Sequence, residues 1–199
     1  MLPAPNGEYS QQQQIFSLIL NQIMPSFFLI IPIMASSVMA ASSFVGEKEK
    51  HTLETLLYSP LSLGQLFQSK ILAGFSVGMM ISFAAMLLVM ELESFFLTGN
   101  LLLPAASWLA IMLLIAPAIS LVAIAVTVRS SAKAQTIEEA QQRAVFLIFP
   151  ILALLIGQFT GIILISAGLL WGVGIVLAAL AILLVKRAAG NFTYEKLLK

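Results

Sequence analysis

The sequence predicts an all-α, polytopic membrane helix bundle of about five transmembrane helices, and three observations predict it. Sixty per cent of the residues are hydrophobic and ten per cent charged, far from the roughly quarter-charged composition of soluble domains. Five apolar runs, 26–45, 71–90, 102–128, 145–163 and 168–185, each approach or exceed the roughly twenty helical residues needed to cross a hydrocarbon core of about 30 Å. All ten Lys and Arg residues lie in three of the polar stretches: Lys48, Lys50 and Lys70 in the first gap, Arg129, Lys133 and Arg143 in the third, and Lys186, Arg187, Lys196 and Lys199 in the tail. The second and fourth gaps carry none. Lys and Arg are retained on the cytoplasmic side during insertion, so this alternation predicts an N-out, C-in orientation.

The whole chain, 1–199, reads as one membrane-spanning domain. Residues 1–25 form an exposed leader and an interfacial helix: Pro3, Pro5, Gly7 and a run of four glutamines bury nothing, and the apolar stretch 15–24 is interrupted by Asn21 and Gln22 before Pro25. The leader has neither a basic n-region nor an apolar core, so the first span is expected to act as its own insertion signal. A first cytoplasmic loop follows at 46–70, a second at 129–144, and a cytoplasmic tail at 186–199. The third run is long enough to tilt. The fourth and fifth share one apolar stretch with Ser166, Ala167 and Gly168 as the turn; a single long helix is the alternative, and the basic residues on both flanks decide for two spans.

Within the spans, Pro32, Pro104, Pro117 and Pro150 each remove a backbone hydrogen bond and are expected to kink their helices. Three Gly-x-x-x-Gly pairs, Gly74 with Gly78, Gly157 with Gly161 and Gly168 with Gly172, each leave one helix face open to a close backbone approach, within the chain or between two chains. The methionines after Met1 read as packing residues. Trp108 and Trp171, near span ends, read as interfacial anchors. Gln158 and Thr160 either line a path or hydrogen-bond across helices, and Glu91 and Glu93 read as a polar helix end facing water.

Composition also excludes function classes. A net charge of +1 leaves no basic surface of the kind that binds nucleic acid. With no cysteine, disulfides and thiolate metal sites are ruled out, and no metal or cofactor is expected. His51, the one histidine, sits in a polar segment without partners for a metal site or a base. The motifs His-Glu-x-x-His and Gly-x-Ser-x-Gly are lacking, so no catalytic residue is assigned. No ionised residue falls in the central part of any span, which disfavours an ion-coupled carrier, because such carriers keep titratable groups there for the coupling ion. There is no Gly-x-x-x-x-Gly-Lys-[Ser/Thr] phosphate loop, so any ATP hydrolysis belongs to another polypeptide.

The first cytoplasmic loop is too organised to be a connector. It reads Gly46-Glu47-Lys48-Glu49-Lys50-His51-Thr52-Leu53-Glu54-Thr55-Leu56-Leu57-Tyr58-Ser59-Pro60-Leu61-Ser62 and continues to Lys70. Leu53, Leu56 and Leu57 form an apolar stripe at helical spacing, with Glu47, Glu49, Lys50 and Glu54 around it. Ser59-Pro60 ends that helix. A second is expected from Ser62, where Ser-x-x-Gln makes a capping box with Gln65 and Leu61 staples onto Leu66. The loop therefore predicts a helix-turn-helix under the membrane. The competing reading, an amphipathic segment resting on lipid, is opposed by its four Glu residues, which anionic headgroups repel.

This run, followed by Lys70, resembles the signature of type-2 ABC transporter permeases, the ABC-2 membrane family. Ala140-Gln141-Gln142, and Phe192, Glu195, Lys196, Leu197 and Leu198 in the tail, are similar to weaker family features. The resemblance implies a permease subunit of an ATP-driven exporter in the plasma membrane, itself no enzyme. Its implied partners are a cytosolic ATP-binding cassette ATPase, a second permease subunit as homo- or heterodimer, and the lipid bilayer. By position it implies that Glu47, Glu49, Thr52, Leu53, Glu54, Leu57 and Pro60 form the ATPase-coupling region and that Lys70 opens the next span. Family members usually have six spans with the N-terminus inside, so the resemblance also implies a permease apparently lacking the first span, one needing that span from a neighbouring polypeptide or weakly active alone. A non-transport membrane scaffold or assembly protein is the alternative, separated from a permease by whether a neighbouring gene encodes a phosphate-loop protein.

Overall fold

The computed structural model describes residues 23–50, 63–98, 106–131, 133–160 and 167–190, and among them every regular element is a helix. We number the helices α1 (Met24–Phe28), α2 (Ile30–Phe44), α3 (Gly46–Glu49), α4 (Leu63–Thr98), α5 (Ala106–Ala110), α6 (Ala116–Ser131), α7 (Ile137–Val145), α8 (Ile148–Phe159) and α9 (Ala167–Gly190). A π-helical turn, Ile111–Ile115, joins α5 to α6. Among the described residues five stretches are long and apolar enough to cross a membrane: Met24–Phe44, Gly64–Leu92, Trp108–Ser131, Ile137–Gly157 and Leu170–Arg187. They overlap the five predicted runs, and the fourth takes in α7 as well as most of α8. The leader up to residue 22, the segment 51–62 with its leucine stripe, Pro104, Gly161, Ser166 and the tail from residue 191 lie outside the described residues.

Proline explains where the helices are interrupted. Pro32, Pro117 and Pro150 have no N–H to give to the carbonyls of Phe28, Leu113 and Phe146, and a proline ring also crowds the carbonyl four residues back. The chain relaxes at each of those points. The helix breaks at Leu29, whose N–H turns back to Ser26 O at 3.2 Å. The π turn brackets Leu113, with the Ala116 N–H reaching five residues back to Ile111 O. At Phe146 the carbonyl accepts from Phe149 N–H instead, at 3.3 Å, and the turn 146–147 separates α7 from α8.

The first span is the hub of the bundle. α2 packs against α4 on one side and α6 on another, α9 packs along the other side of α6, α7 lies against α2 and α6, and α8 touches α1. The close approach of α2 and α4 uses glycine: a Cβ on Gly78 would overlap Ser36 Oγ and lie 3.2 Å from Ser36 Cα, while one on Gly74 would meet Ala40 N at 3.7 Å. That pair therefore serves packing within the chain. Gly168 and Gly172 have nothing within 4 Å, leaving that face of α9 open. The third span is the most enclosed, with 56% of its apolar stretch buried in the chain against 17% for the fifth. The outward face of α9, with Ile175, Val176 and Leu183 exposed, is suited to hydrocarbon.

The main core gathers Ile33, Met79, Met86, Met90, Trp108, Ile111 and Ile115, so these methionines are packing residues as expected. Trp108 corrects its assignment as an interfacial anchor. It is 1% exposed and stacks edge-on against Phe28, ring centroids 5.6 Å apart, with no hydrogen-bond partner for Nε1 among the described residues. The break at Leu29 lets Phe28 reach it. Trp171 is exposed, as an anchor requires. Apart from the Trp108 indole, the buried polar side chains among the described residues are hydroxyls: Ser82, Thr127 and Ser130 bond back to carbonyls of their own helices at 2.7–2.8 Å. Ser36 Oγ and Ser120 Oγ hydrogen-bond to each other, stitching the first span to the third.

Two expected boundaries change. The second arm of the predicted helix-turn-helix is no separate helix: α4 begins at Leu63 and runs unbroken to Thr98, 36 residues, or about 54 Å at 1.5 Å per residue. The apolar run from Ile71 needs no break at Lys70, so the polar turns before it simply extend the span. Ala167 and Gly168, expected in a turn, already form the start of α9.

Candidate functional site

The organised polar surface of the chain is at one end of the bundle, where the first span runs out through α3. Backbone bonds from Glu49 N to Val45 O at 2.8 Å and from Lys50 N to Gly46 O at 3.0 Å continue the helical repeat past Phe44, so the acidic motif begins on a rigid element. On α4, Phe67 and Ile71 face α2 and pack with Ala40, Ile124 and Val128. Phe44 meets Phe67 edge-on at 5.4 Å.

Lys70 closes this corner. Its ammonium forms an ion pair with Glu47 Oε2, donates to Ser43 O at 3.0 Å, and lies 5.3 Å from the centroid of the Phe44 ring. The pair is partly shielded, with side chains 16% and 23% exposed, so it is worth more than a solvated surface bridge of about 0.2–1 kcal/mol. Two carbonyl and carboxylate acceptors plus an aromatic face satisfy a cation that the apolar flank would otherwise reject. The motif's Glu47 thus binds the first span to the second.

Glu49 reaches in another direction. Thr136, in extended conformation, caps α7 by accepting from Glu139 N–H at 3.3 Å, and Glu139 Oε2 accepts in return from Gln135 N–H at 2.9 Å. The Ile137 N–H is left over at this helix start, and Glu49 Oε2 accepts it at 3.4 Å across 88 residues of sequence. Below that contact Ile137, Ala134 and Ala140 pack against Ala41 and Val45. The opposite face of α7, with Glu138, Glu139, Gln142 and Arg143, is exposed.

Of the seven predicted coupling residues, the structure therefore positions Glu47 and Glu49, each bonded within the chain. Thr52, Leu53, Glu54, Leu57 and Pro60 lie outside the described residues. The sequence reading missed Ile137 and Thr136. Thr136-x-x-Glu139 is a capping-box spacing that could have marked the start of α7, but the long-range partner of its spare N–H carries no local signal. Among the described residues no group of His, Asp or Glu gathers as a metal site, and every buried polar side chain is a hydroxyl or the Trp108 indole.

A family model described as ABC-2 family transporter protein matches residues 4–138. The chain belongs to this family. The match takes in the first three spans, the whole motif from Glu47 to Pro60, Lys70, and the start of α7. No curated protein and no solved structure matches the chain. As an ABC-2 transporter protein with five helices, among the described residues, long and apolar enough to span a membrane, it is a multi-pass membrane permease of an ABC transporter. Permeases of this family are membrane subunits and not themselves ATPases, and the family implies a partner ATPase and often a second permease subunit.

Proposed function

We propose that this ABC-2 permease is the membrane subunit of an exporter in the plasma membrane, driven by a separate cytosolic ATP-binding cassette ATPase. In this reading the charged end of the bundle faces the cytosol, N-out and C-in, because it holds the Lys and Arg residues. The ATPase docks on 46–70 through Thr52, Leu53, Glu54, Leu57 and Pro60 and on the exposed face of α7. Glu47 and Glu49 serve that surface from behind, through Lys70 and Ile137. A second permease subunit, identical or different, completes the transport path.

The observation that carries the reading is how the two helices that flank 51–62 are joined. α3 is continuous with the first span, α4 is a single helix with the second, and the Glu47–Lys70 pair ties those two helices together. A push delivered to α3 or to the start of α4 would reach both spans. The described interior supports external energy input as well, since its fully buried polar side chains are neutral and include no titratable group to carry a coupling proton.

The test is mutational. Glu54→Lys, or Leu53→Ser with Leu57→Ser, should leave membrane insertion intact while reducing co-purification of the ATPase or transport-linked ATP hydrolysis. Normal association and hydrolysis in both variants would remove 46–70 from the coupling role.

A further inference from the structure

Helix α7, the first part of the fourth apolar stretch, is fastened to the first span at its beginning and leads into α8 at its end. At its beginning, Glu49 accepts the Ile137 N–H, and a Cβ on Gly46 would lie 3.6 Å from Ile137 Cδ1. Ala140, one turn on, is buried against the Ala41–Val45 surface. At its end only the turn 146–147 separates α7 from α8, the body of the fourth span. A carboxylate suits the first attachment because it adds attraction for the positive end of the helix dipole to an otherwise long hydrogen bond.

We propose that Glu49 is a positioning residue that holds α7 to the end of the first span, so that displacement of the 46–62 segment carries the fourth span along with the first and second. This rests on the coupling reading given above. Small side chains at Ala134, Ala140 and Gly46 let the two elements lie in contact, and Glu49 fixes the register between them. The third span packs against α7 as well and is joined to the first by Ser36 and Ser120, but the Glu49–Ile137 contact runs directly from the first span to α7 and so on to α8.

The chain has no cysteine, which allows a two-arm experiment. In the first arm, Gly46→Cys with Ile137→Cys is bridged by a short bifunctional thiol reagent in membranes containing the permease alone. Adding Glu49→Ala should slow bridging about twofold to fivefold, the equivalent of one exposed charge–dipole contact, with Glu49→Gln between the two. An unchanged rate overturns the attachment, whatever the protein transports. In the second arm, the complex with its ATPase is reconstituted in liposomes. Glu49→Ala should lose ATP-driven transport, and bridging residues 46 and 137 in that variant should restore it. Loss that bridging does not restore means Glu49 acts by touching the ATPase, and overturns the proposal. If the unaltered permease is driven by no ATPase, the coupling reading fails and this proposal with it, while the first arm separates that failure from a missing attachment.

Discussion

A Cβ on Gly78 would meet Ser36 at both Oγ and Cα, and Ser36 cannot simply turn aside because its hydroxyl bonds Ser120. Gly78→Ala is therefore expected to destabilise the bundle by about 1–3 kcal/mol, as overpacking does. Gly74→Ala, whose new methyl meets neighbours at 3.7 Å, should be nearly silent. Thermal unfolding of the two detergent-solubilised variants checks this, and equal melting temperatures would show that the helices can separate at Gly78 without cost. The Gly-x-x-x-Gly spacing was visible in the sequence. Which of the three pairs closes on another helix was not, since a glycine records only that a close approach is possible. Trp108 teaches the same lesson: its position near a span end suggested an interface, and the break at Leu29 that brings Phe28 onto it follows from Pro32, far away in sequence. The Glu47–Lys70 and Glu49–Ile137 contacts were likewise hidden, although three of the four residues sit in the motif that drew attention.

At the scale of elements, the five hydrophobic runs were legible because a bilayer demands continuous apolar length, and that demand leaves its mark residue by residue. Their ends were less so. Leu63 to Ser69 reads as a separate cytoplasmic helix but continues into α4 without a break, because a helix satisfies its own backbone whether or not its side chains meet lipid. The prolines were expected to kink the spans, and Pro32, Pro117 and Pro150 each follow an interruption or π turn at or beside the residue four positions upstream. Pro150 gives a test. Pro150→Ala restores an N–H for Phe146 O and favours a straight helix through 146–147, gaining as much as about 3 kcal/mol locally. The straightened helix would swing α7 away from α2. The variant should therefore insert and unfold no earlier than the parent, yet transport less per ATP hydrolysed in the reconstituted complex. Undiminished transport would show that the turn has no part in coupling.

For the whole molecule, the charge pattern, the family match over residues 4–138 and the clamp between α3, α4 and α7 bear on one claim: the basic end of the bundle is the cytosolic surface on which an ATPase acts. The apolar runs carried the spans into the sequence, and the proposed sidedness rests on charge alternation, because insertion itself reads Lys and Arg. The transported molecule left no such trace, since an energy source outside the membrane requires no titratable group within it. Sidedness is the point on which the account stands or falls, and the cysteine-free chain makes it directly measurable. Single cysteines at Ser62, Gln135 and Thr193 should react with a membrane-impermeant thiol reagent only after cells are permeabilised, whereas cysteines at Asn6 and Thr98 should react in intact cells. Labelling of the Ser62→Cys variant from outside intact cells would contradict the account, because no cytosolic ATPase could then reach the segment between the first two spans.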